Sequence, residues 1–131
     1  MKFKLLYYLV ILCLLSNNAN AVEEQTLPDD RLYTLSFYKK KCLDGNQSAC
    51  VYVGLAYKDG KDTPQDFKRA YDLFYNACEQ NNPLGCAFQG VMYEQGLGRN
   101  IDTLQAIKFY QRACDGGIEL SCKRIKELSV E

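Results

Sequence analysis

The feature that most constrains this chain is a pair of cysteines that recurs at a fixed interval. Within each pair the cysteines are separated by seven residues, and successive pairs begin 36 residues apart: Cys42 and Cys50, Cys78 and Cys86, Cys114 and Cys122. Other residues keep the same interval, among them Pro28 and Pro64, Asp30, Asp66 and Asp102, Gly54 and Gly90, Tyr57 and Tyr93, and Gly60 and Gly96. A period between about 20 and 50 residues is typical of stacked repeats, so the sequence predicts a repeat array.

Each copy of the period predicts two helices joined by a short loop. In the second copy the first helix carries an apolar stripe at helical spacing, formed by Ala70, Leu73, Phe74, Ala77 and Cys78. Thr63 is expected to cap this helix, with Pro64 as its first residue and Asp66 favourable near its N-terminus. Asn82 and Pro83 are expected to play the capping and first-residue roles for the second helix.

Small residues mark where these helices end and where they approach each other. Gly45, Asn81 and Gly117 occupy equivalent sites after the first helix of each copy, and all three tolerate the left-handed conformation that ends a helix. Gly54 and Gly90 lie inside the second helix, where glycine is destabilising. Their position indicates that two helices approach closely there.

The cysteine spacing places one cysteine at the end of a helix and the next near the start of its antiparallel partner. The sequence therefore predicts three disulfides that each close one hairpin: Cys42–Cys50, Cys78–Cys86 and Cys114–Cys122. The alternative is a metal cluster or a redox dithiol. Gaps of seven residues do not match C-x-x-C zinc or redox spacing, so no metal and no other cofactor is expected.

The first 21 residues have the pattern of a secretory signal. An apolar run over residues 5–15 follows a positively charged start, and Ala19 and Ala21 supply an A-x-A site that predicts cleavage after Ala21. Cys13 would leave with this segment, so six cysteines would remain in an oxidising compartment, where thiols pair. The sequence predicts a secreted or periplasmic protein that has no membrane segment after cleavage.

Charge and composition exclude several functions. Without the two lysines of the signal, 14 basic and 16 acidic side chains remain, which argues against a nucleic-acid partner because such partners require a basic face. The chain contains no histidine. Ser-His-Asp catalysis, Cys-His catalysis and histidine-containing zinc sites are therefore excluded.

The motif A-x-x-x-[FY]-x-x-A-C followed by C-x-x-x-G-x-x-Y-x-x-G, from Ala70 to Gly96, resembles Sel1-like repeats (SLR), which are relatives of tetratricopeptide repeats (TPR). The cysteine pair in each copy is similar to the secreted cysteine-rich proteins of that class, of the type known from Helicobacter and Campylobacter. The resemblance implies an all-α fold, an α/α solenoid of disulfide-bridged helix hairpins in a TPR-like right-handed superhelix.

The period and the resemblance together divide the chain into segments. The predicted organisation is a signal peptide at 1–21, an N-terminal extension at 22–27, and an SLR domain at 28–131 with repeats 28–63, 64–99 and 100–131. The third repeat is truncated, and Lys126 stands where the earlier copies have Gly54 and Gly90. A charged final helix is typical of the terminal repeat that caps such an array.

The resemblance implies a protein or peptide partner, because repeats of this class form interaction modules. Some relatives are described as penicillin-binding proteins or weak β-lactamases, so the alternative function is binding or hydrolysis of a β-lactam, with a peptidoglycan fragment as a related ligand. Ser36 and Lys39 fit the S-x-x-K motif of those enzymes, but the S-D-N and K-T-G motifs are missing. Asn46 begins a glycosylation sequon, although loop chemistry alone explains an asparagine there.

The second helix of each hairpin is the candidate partner surface. Residues 49–57 and 86–93 are almost entirely apolar, and a helix that is apolar all round is either buried on every side or offers one face to a partner. By similarity to TPR arrays, the exposed face would carry Val51, Leu55, Lys58, Ala87, Val91 and Glu94. Tyr57 and Tyr93 would instead pack inward against the neighbouring helix. The alternative is that Leu55 and Val91 are ordinary core residues.

Overall fold

The structure, a computed structural model, describes residues 34–130. The predicted signal peptide, the extension 22–27 and residues 28–33 of the first predicted repeat lie outside the described residues. Residues 34–130 form six helices and no strand: α1 Leu35–Leu43, α2 Gln47–Asp59, α3 Phe67–Glu79, α4 Pro83–Gln95, α5 Thr103–Asp115 and α6 Glu119–Leu128. No helix within this part of the chain is both long and apolar enough to span a membrane.

Four of the six helices begin at a residue whose side chain caps the backbone. The Oδ1 atoms accept hydrogen bonds from the backbone N–H three residues later: Asn46 from Ala49 at 2.9 Å, Asp66 from Arg69 at 3.0 Å, Asn82 from Gly85 at 3.1 Å and Asp102 from Gln105 at 3.0 Å. These caps satisfy N–H groups that the helix itself leaves unpaired. The asparagines and the aspartates each recur at the 36-residue period, so the same caps fix the start of equivalent helices.

The predicted start of α3 is wrong by three residues, whereas that of α4 is confirmed. Asp66, and not Thr63, is the N-cap of α3, and the helix begins at Phe67. Pro64 lies in the preceding loop, which is held by a hydrogen bond of 2.8 Å from the Asp66 backbone N–H to the Tyr57 carbonyl oxygen. Because this bond keeps Asp66 extended, the helical hydrogen bonds start only after it.

Each hairpin is closed by a disulfide, as the sequence predicted. The bonds join Cys42 to Cys50, Cys78 to Cys86 and Cys114 to Cys122, with Cα–Cα distances of 4.6, 4.5 and 4.9 Å. The chain turns at Gly45, Asn81 and Gly117, which have positive φ angles of 93°, 61° and 97°. The predicted solenoid of disulfide-bridged hairpins is therefore confirmed for α1–α2, α3–α4 and α5–α6.

The hairpins stack so that alternate helices share a face. Consecutive helices pack together, and α2 also contacts α4 directly. We call the side formed by α2, α4 and α6 the inner face, and the side formed by α1, α3 and α5 the outer face. The core between them contains four of the five residues of the predicted α3 stripe in fully buried positions: Ala70, Phe74, Ala77 and Cys78. Leu73, the fifth, is half-buried.

The two helix-interior glycines lie where an aromatic ring crosses the backbone. A Cβ atom on Gly54 would lie 2.6 Å from Cε1 of Phe74, and one on Gly90 would lie 2.7 Å from Cδ1 of Tyr110. Both distances are far below van der Waals contact. The close approach predicted at Gly54 and Gly90 is confirmed, and it recurs at the repeat period.

Gln89 on α4 is fully buried, and neither its Oε1 nor its Nε2 has a hydrogen-bond partner among the described residues. A buried polar group without a partner costs about 1–3 kcal/mol of stability. One repeat earlier the same position is Val53, which is apolar and buried. Gln89 is thus a polar side chain in a position that the repeat otherwise gives to a hydrophobic one.

We expect Gln89→Met to stabilise the protein, because methionine keeps the shape of glutamine and removes both unpaired polar atoms. The free energy of unfolding should rise by about 1–3 kcal/mol in urea titrations of the oxidised protein. Gln95→Met, at an exposed position of the same helix, is the control and should change stability by less than about 0.5 kcal/mol. A less stable Gln89→Met protein would contradict this account of Gln89.

Candidate partner surface

A groove of about 450 Å³ runs along the inner face between α4 and α6. Its apolar lining consists of Leu84, Ala87, Phe88, Val91, Ile118 and Leu120. Leu84 is 44% exposed and Leu120 is 75% exposed, so two large apolar side chains face solvent at its edge. Because the two leucines occupy equivalent positions in successive repeats, the period itself places them on facing helices.

A network of charged and hydroxyl groups closes one end of this groove. The Glu94 carboxylate on α4 accepts a hydrogen bond of 2.6 Å from the Tyr110 hydroxyl and one of 3.0 Å from Nε of Arg124 on α6. Arg124 also donates to Glu127 at 2.7 Å. This network ties α4 to α6 directly, so the groove has a fixed width at this end.

The same contacts set the protonation states of the network. Hydrogen bonds from Arg124 and Tyr110 hold the pKa of Glu94 below its usual value, against the opposing effect of burial. Burial, followed by the hydrogen bond to Glu94, raises the pKa of the Tyr110 hydroxyl. Glu94 is therefore ionised and Tyr110 neutral at neutral pH, which are the states in which the carboxylate accepts and the phenol donates.

The structure brings together three of the six predicted partner-binding residues. Ala87, Val91 and Glu94 all line the groove between α4 and α6. α6 contributes Leu120 and Arg124 to the same groove, and neither was among the predicted residues. Leu120 could have been found from its position one period after Leu84.

The structure corrects the part of the predicted partner surface that lies on α2. Val51 is only 3% exposed and belongs to the core, so it cannot contact a partner. The physical reason is that α4 packs against α2. Leu55 is half-buried against the core and lines a separate cavity of about 190 Å³, while Lys58 is half-buried and pairs with Asp59. The predicted residues of α2 and α4 therefore do not form one continuous surface on the inner face.

The inward packing predicted for Tyr57 and Tyr93 is confirmed, but their neighbours differ. The Tyr57 hydroxyl on α2 accepts a hydrogen bond of 3.1 Å from Arg69 on α3. Tyr93 on α4 stacks on Phe109 of α5, with ring centroids 5.5 Å apart. Tyr93 also contacts a cation, because the guanidinium carbon of Arg99 lies 4.3 Å from the centre of its ring.

Two short motifs of the sequence have structural roles. The Ser36 hydroxyl is exposed and lies 2.7 Å from the Thr34 hydroxyl, whereas Nζ of Lys39 lies 5.3 Å from the centre of the Tyr57 ring. No hydrogen bond joins Ser36 to Lys39, so these contacts give no support to a serine activated by lysine. Asn46, the sequon asparagine, uses its side chain to cap α2. Among residues 34–130 no group of three or more His, Cys, Asp or Glu side chains is arranged to hold a metal.

Comparison with protein families gives two matches to one repeat type. The sequence profile described as Sel1 repeat matches residues 47–82 and 83–118, which together are more than half of the chain. Each matched segment begins at an inner-face helix and has the length of the sequence period. The repeat boundaries 28–63, 64–99 and 100–131 start at another point of the same period and stay a prediction. No curated protein matches this chain by sequence.

Three solved structures resemble the fold. A Sel1 repeat protein from Oxalobacter formigenes is 30% identical with a TM-score of 0.66, and the match covers 70% of this chain and 37% of that one. A protective antigen of uropathogenic Escherichia coli with an SLR fold is 28% identical with a TM-score of 0.66, and the match covers 70% and 20%. Cysteine-rich protein B of Helicobacter pylori is 26% identical with a TM-score of 0.64, and the match covers 79% and 76%. This chain thus spans about a third and a fifth of the first two proteins.

Proposed function

Because the chain belongs to the Sel1 repeat family, we propose that it is an interaction module whose groove between α4 and α6 binds a protein or peptide partner. The observation that carries the proposal is the groove itself, about 450 Å³ with Leu84 and Leu120 exposed at its edge. A concave apolar site of a few hundred cubic ångströms with a few fixed polar groups is typical of binding sites. The partner chemistry that fits is an apolar side chain on a peptide segment.

The polar end of the groove provides groups that can recognise a partner, in addition to the shape of the apolar lining. Glu94 and Arg124 are held by each other and by Tyr110, so these groups are already ordered before a partner arrives. Groups that are ordered in advance lose less conformational entropy on binding. Lys123 and Glu127 also line the groove and offer both signs of charge to a polar backbone or side chain.

The proposal includes export to the periplasm or the medium. It rests on the apolar run at residues 5–15 with its A-x-A site, and on the presence of three disulfides. Disulfides persist in oxidising compartments and are rare in the cytosol. Mass spectrometry of protein from the native host tests this part, and an uncleaved, reduced chain would contradict it.

A peptide selection tests the groove. Peptides selected from a random displayed library on the oxidised protein should contain an apolar anchor, and Leu84→Asp with Leu120→Asp should weaken their binding at least about tenfold, because the charges face that anchor. Leu104→Asp is the control, since Leu104 is 73% exposed on α5 and does not line the groove. The proposal fails if no peptide is enriched, or if the double variant binds as well as the control.

A further inference from the structure

A further cavity lies on the outer face and shares no lining residue with the groove. It has a volume of about 360 Å³ and opens between α1 and α3, above α2. Its walls are mostly apolar and come from Cys42, Leu43, Val53 and Leu73. The Tyr57 ring is buried beside them and completes the apolar part of the site.

Two cations converge on the polar edge of this cavity. Nη1 of Arg69 donates a hydrogen bond of 3.1 Å to the Tyr57 hydroxyl, and its guanidinium carbon lies 5.4 Å from the centre of the Tyr57 ring. Nζ of Lys39 lies 5.3 Å from the centre of the same ring. The hydrogen bonds from Arg69 and from Lys39 lower the pKa of the Tyr57 hydroxyl, because each favours its anionic form.

The nearby carboxylates leave much of this positive charge available. Asp66 contacts Arg69 through Nε, at 3.3 Å, and among the described residues the Arg69 guanidinium donates a hydrogen bond through Nη1, to Tyr57, and none through Nη2. Asp72, on the cavity wall, pairs with Lys68 at 3.1 Å. Lys39 has no carboxylate partner within residues 34–130. A ligand carboxylate could therefore approach Lys39 and Nη2 of Arg69 without displacing an ion pair.

The next repeat arranges its charges differently, because the cation beside Tyr93 is Arg99 of the loop after α4, whose guanidinium carbon lies 4.3 Å from the ring centre. There the counterparts of Lys39 and Arg69 are Tyr75 and Gln105, which carry no charge. The counterpart of Leu73 is Phe109, which stacks on Tyr93. The smaller leucine leaves the space beside Tyr57 open, and the two cations lie at its edge.

We propose that this outer-face cavity binds the C-terminal residue of a peptide, with its free carboxylate between Lys39 and Arg69 and its apolar side chain over Val53 and Leu73. Arginine and lysine both bind carboxylates, and a guanidinium with a free Nη can do so with defined geometry. The apolar floor supplies the second half of the recognition, since burying the side chain removes apolar surface from water. This site is independent of the groove between α4 and α6 and requires a different ligand chemistry.

A pair of matched probes tests the carboxylate requirement. N-acetyl-L-phenylalanine and N-acetyl-L-phenylalaninamide differ only in the charged group, and each is titrated into the oxidised protein while its backbone amide signals are followed by nuclear magnetic resonance. We expect the acid to bind at least about tenfold more tightly than the amide, which corresponds to about 1.4 kcal/mol. The shifted signals should cluster around Lys39, Tyr57 and Leu73.

Variants separate the two halves of the site. Lys39→Met should weaken binding of the acid by about tenfold, whereas Lys40→Met, at the next and exposed position of α1, should leave it unchanged. Leu73→Phe should abolish binding, because it fills the cavity as Phe109 does one repeat later. If Leu73→Phe does not fold, Arg69→Gln takes its place. It should weaken binding of the acid about as much as Lys39→Met does.

Several results would overturn the proposal. Equal binding of acid and amide would mean an apolar pocket without carboxylate recognition. Absence of shifts with either probe, or shifts centred on Val91 and Leu120, would mean that the outer-face cavity is not the site. The Lys39 and Leu73 variants do not touch the groove, so peptides selected on the groove should bind them normally, and the two proposals fail or succeed separately.

Discussion

Reduction of the three disulfides should unfold the protein cooperatively at a temperature at which the oxidised form is fully folded. Each bond closes a ring of nine residues, and in the loop-entropy model a ring of that size contributes about 2–3 kcal/mol. Three such bonds together approach the whole stability of a small domain, which is about 5–15 kcal/mol. Thermal unfolding followed by far-ultraviolet circular dichroism, with and without reductant, measures the effect. An unchanged midpoint after complete reduction would show that the helices pack stably without the bonds.

Paired substitutions show which disulfide matters most. Cys78 and Cys86 are buried and pack against Ala113 of the next hairpin, whereas Cys114 and Cys122 are only half-buried. Replacing Cys78 and Cys86 by alanine should therefore cost more stability than the same change at Cys114 and Cys122, although the two rings are equal in length. Equal losses would mean that ring closure alone, without packing of the sulfur atoms, accounts for the stabilisation.

The sequence predicted those parts of the fold that repeat. Three copies of one pattern identify the hairpins and the disulfides, which depend on residues near in sequence, and the close approach at Gly54 and Gly90, which is indicated by a helix-interior glycine that recurs one period apart. The Thr63 cap was wrong because a hydrogen bond from the Asp66 backbone to Tyr57 delays the helix start. Such a contact is formed only once the loop has folded back on α2.

The sites were predicted less well, because they depend on how the copies differ. Val51 and Ala87 occupy equivalent positions, yet the first is buried in the core and the second lines an open groove. The pair of Glu94 with Arg124 spans 30 residues and depends on side-chain directions that a sequence pattern does not carry. Likewise, the outer-face cavity exists because Leu73 stands where the next copy has Phe109.

The second large effect is expected on stability, when the contact between Gly90 and Tyr110 is disturbed by a larger side chain at position 90. Tyr110 is buried, and its hydroxyl is held by Glu94, so the ring cannot move away from a side chain at position 90. We expect Gly90→Val to lower the free energy of unfolding by about 3 kcal/mol, since overpacking of a rigid core typically costs about 1–3 kcal/mol and valine is a poor helix former. Urea titration of the oxidised variant measures this loss.

A double-mutant cycle assigns the loss to the tyrosine ring. Gly90→Ala in the natural protein should be destabilising, because its Cβ would lie 2.7 Å from the Tyr110 ring. In a Tyr110→Ala background the ring is absent, and the same change should be neutral or stabilise the helix by up to about 1 kcal/mol, as glycine-to-alanine changes do in ordinary helix interiors. If Gly90→Ala costs the same in both backgrounds, the loss does not arise from this contact. If the expected coupling is found, the small residue at position 90 allows α5 to approach α4, and that approach places the Tyr110 hydroxyl on Glu94 at the end of the groove.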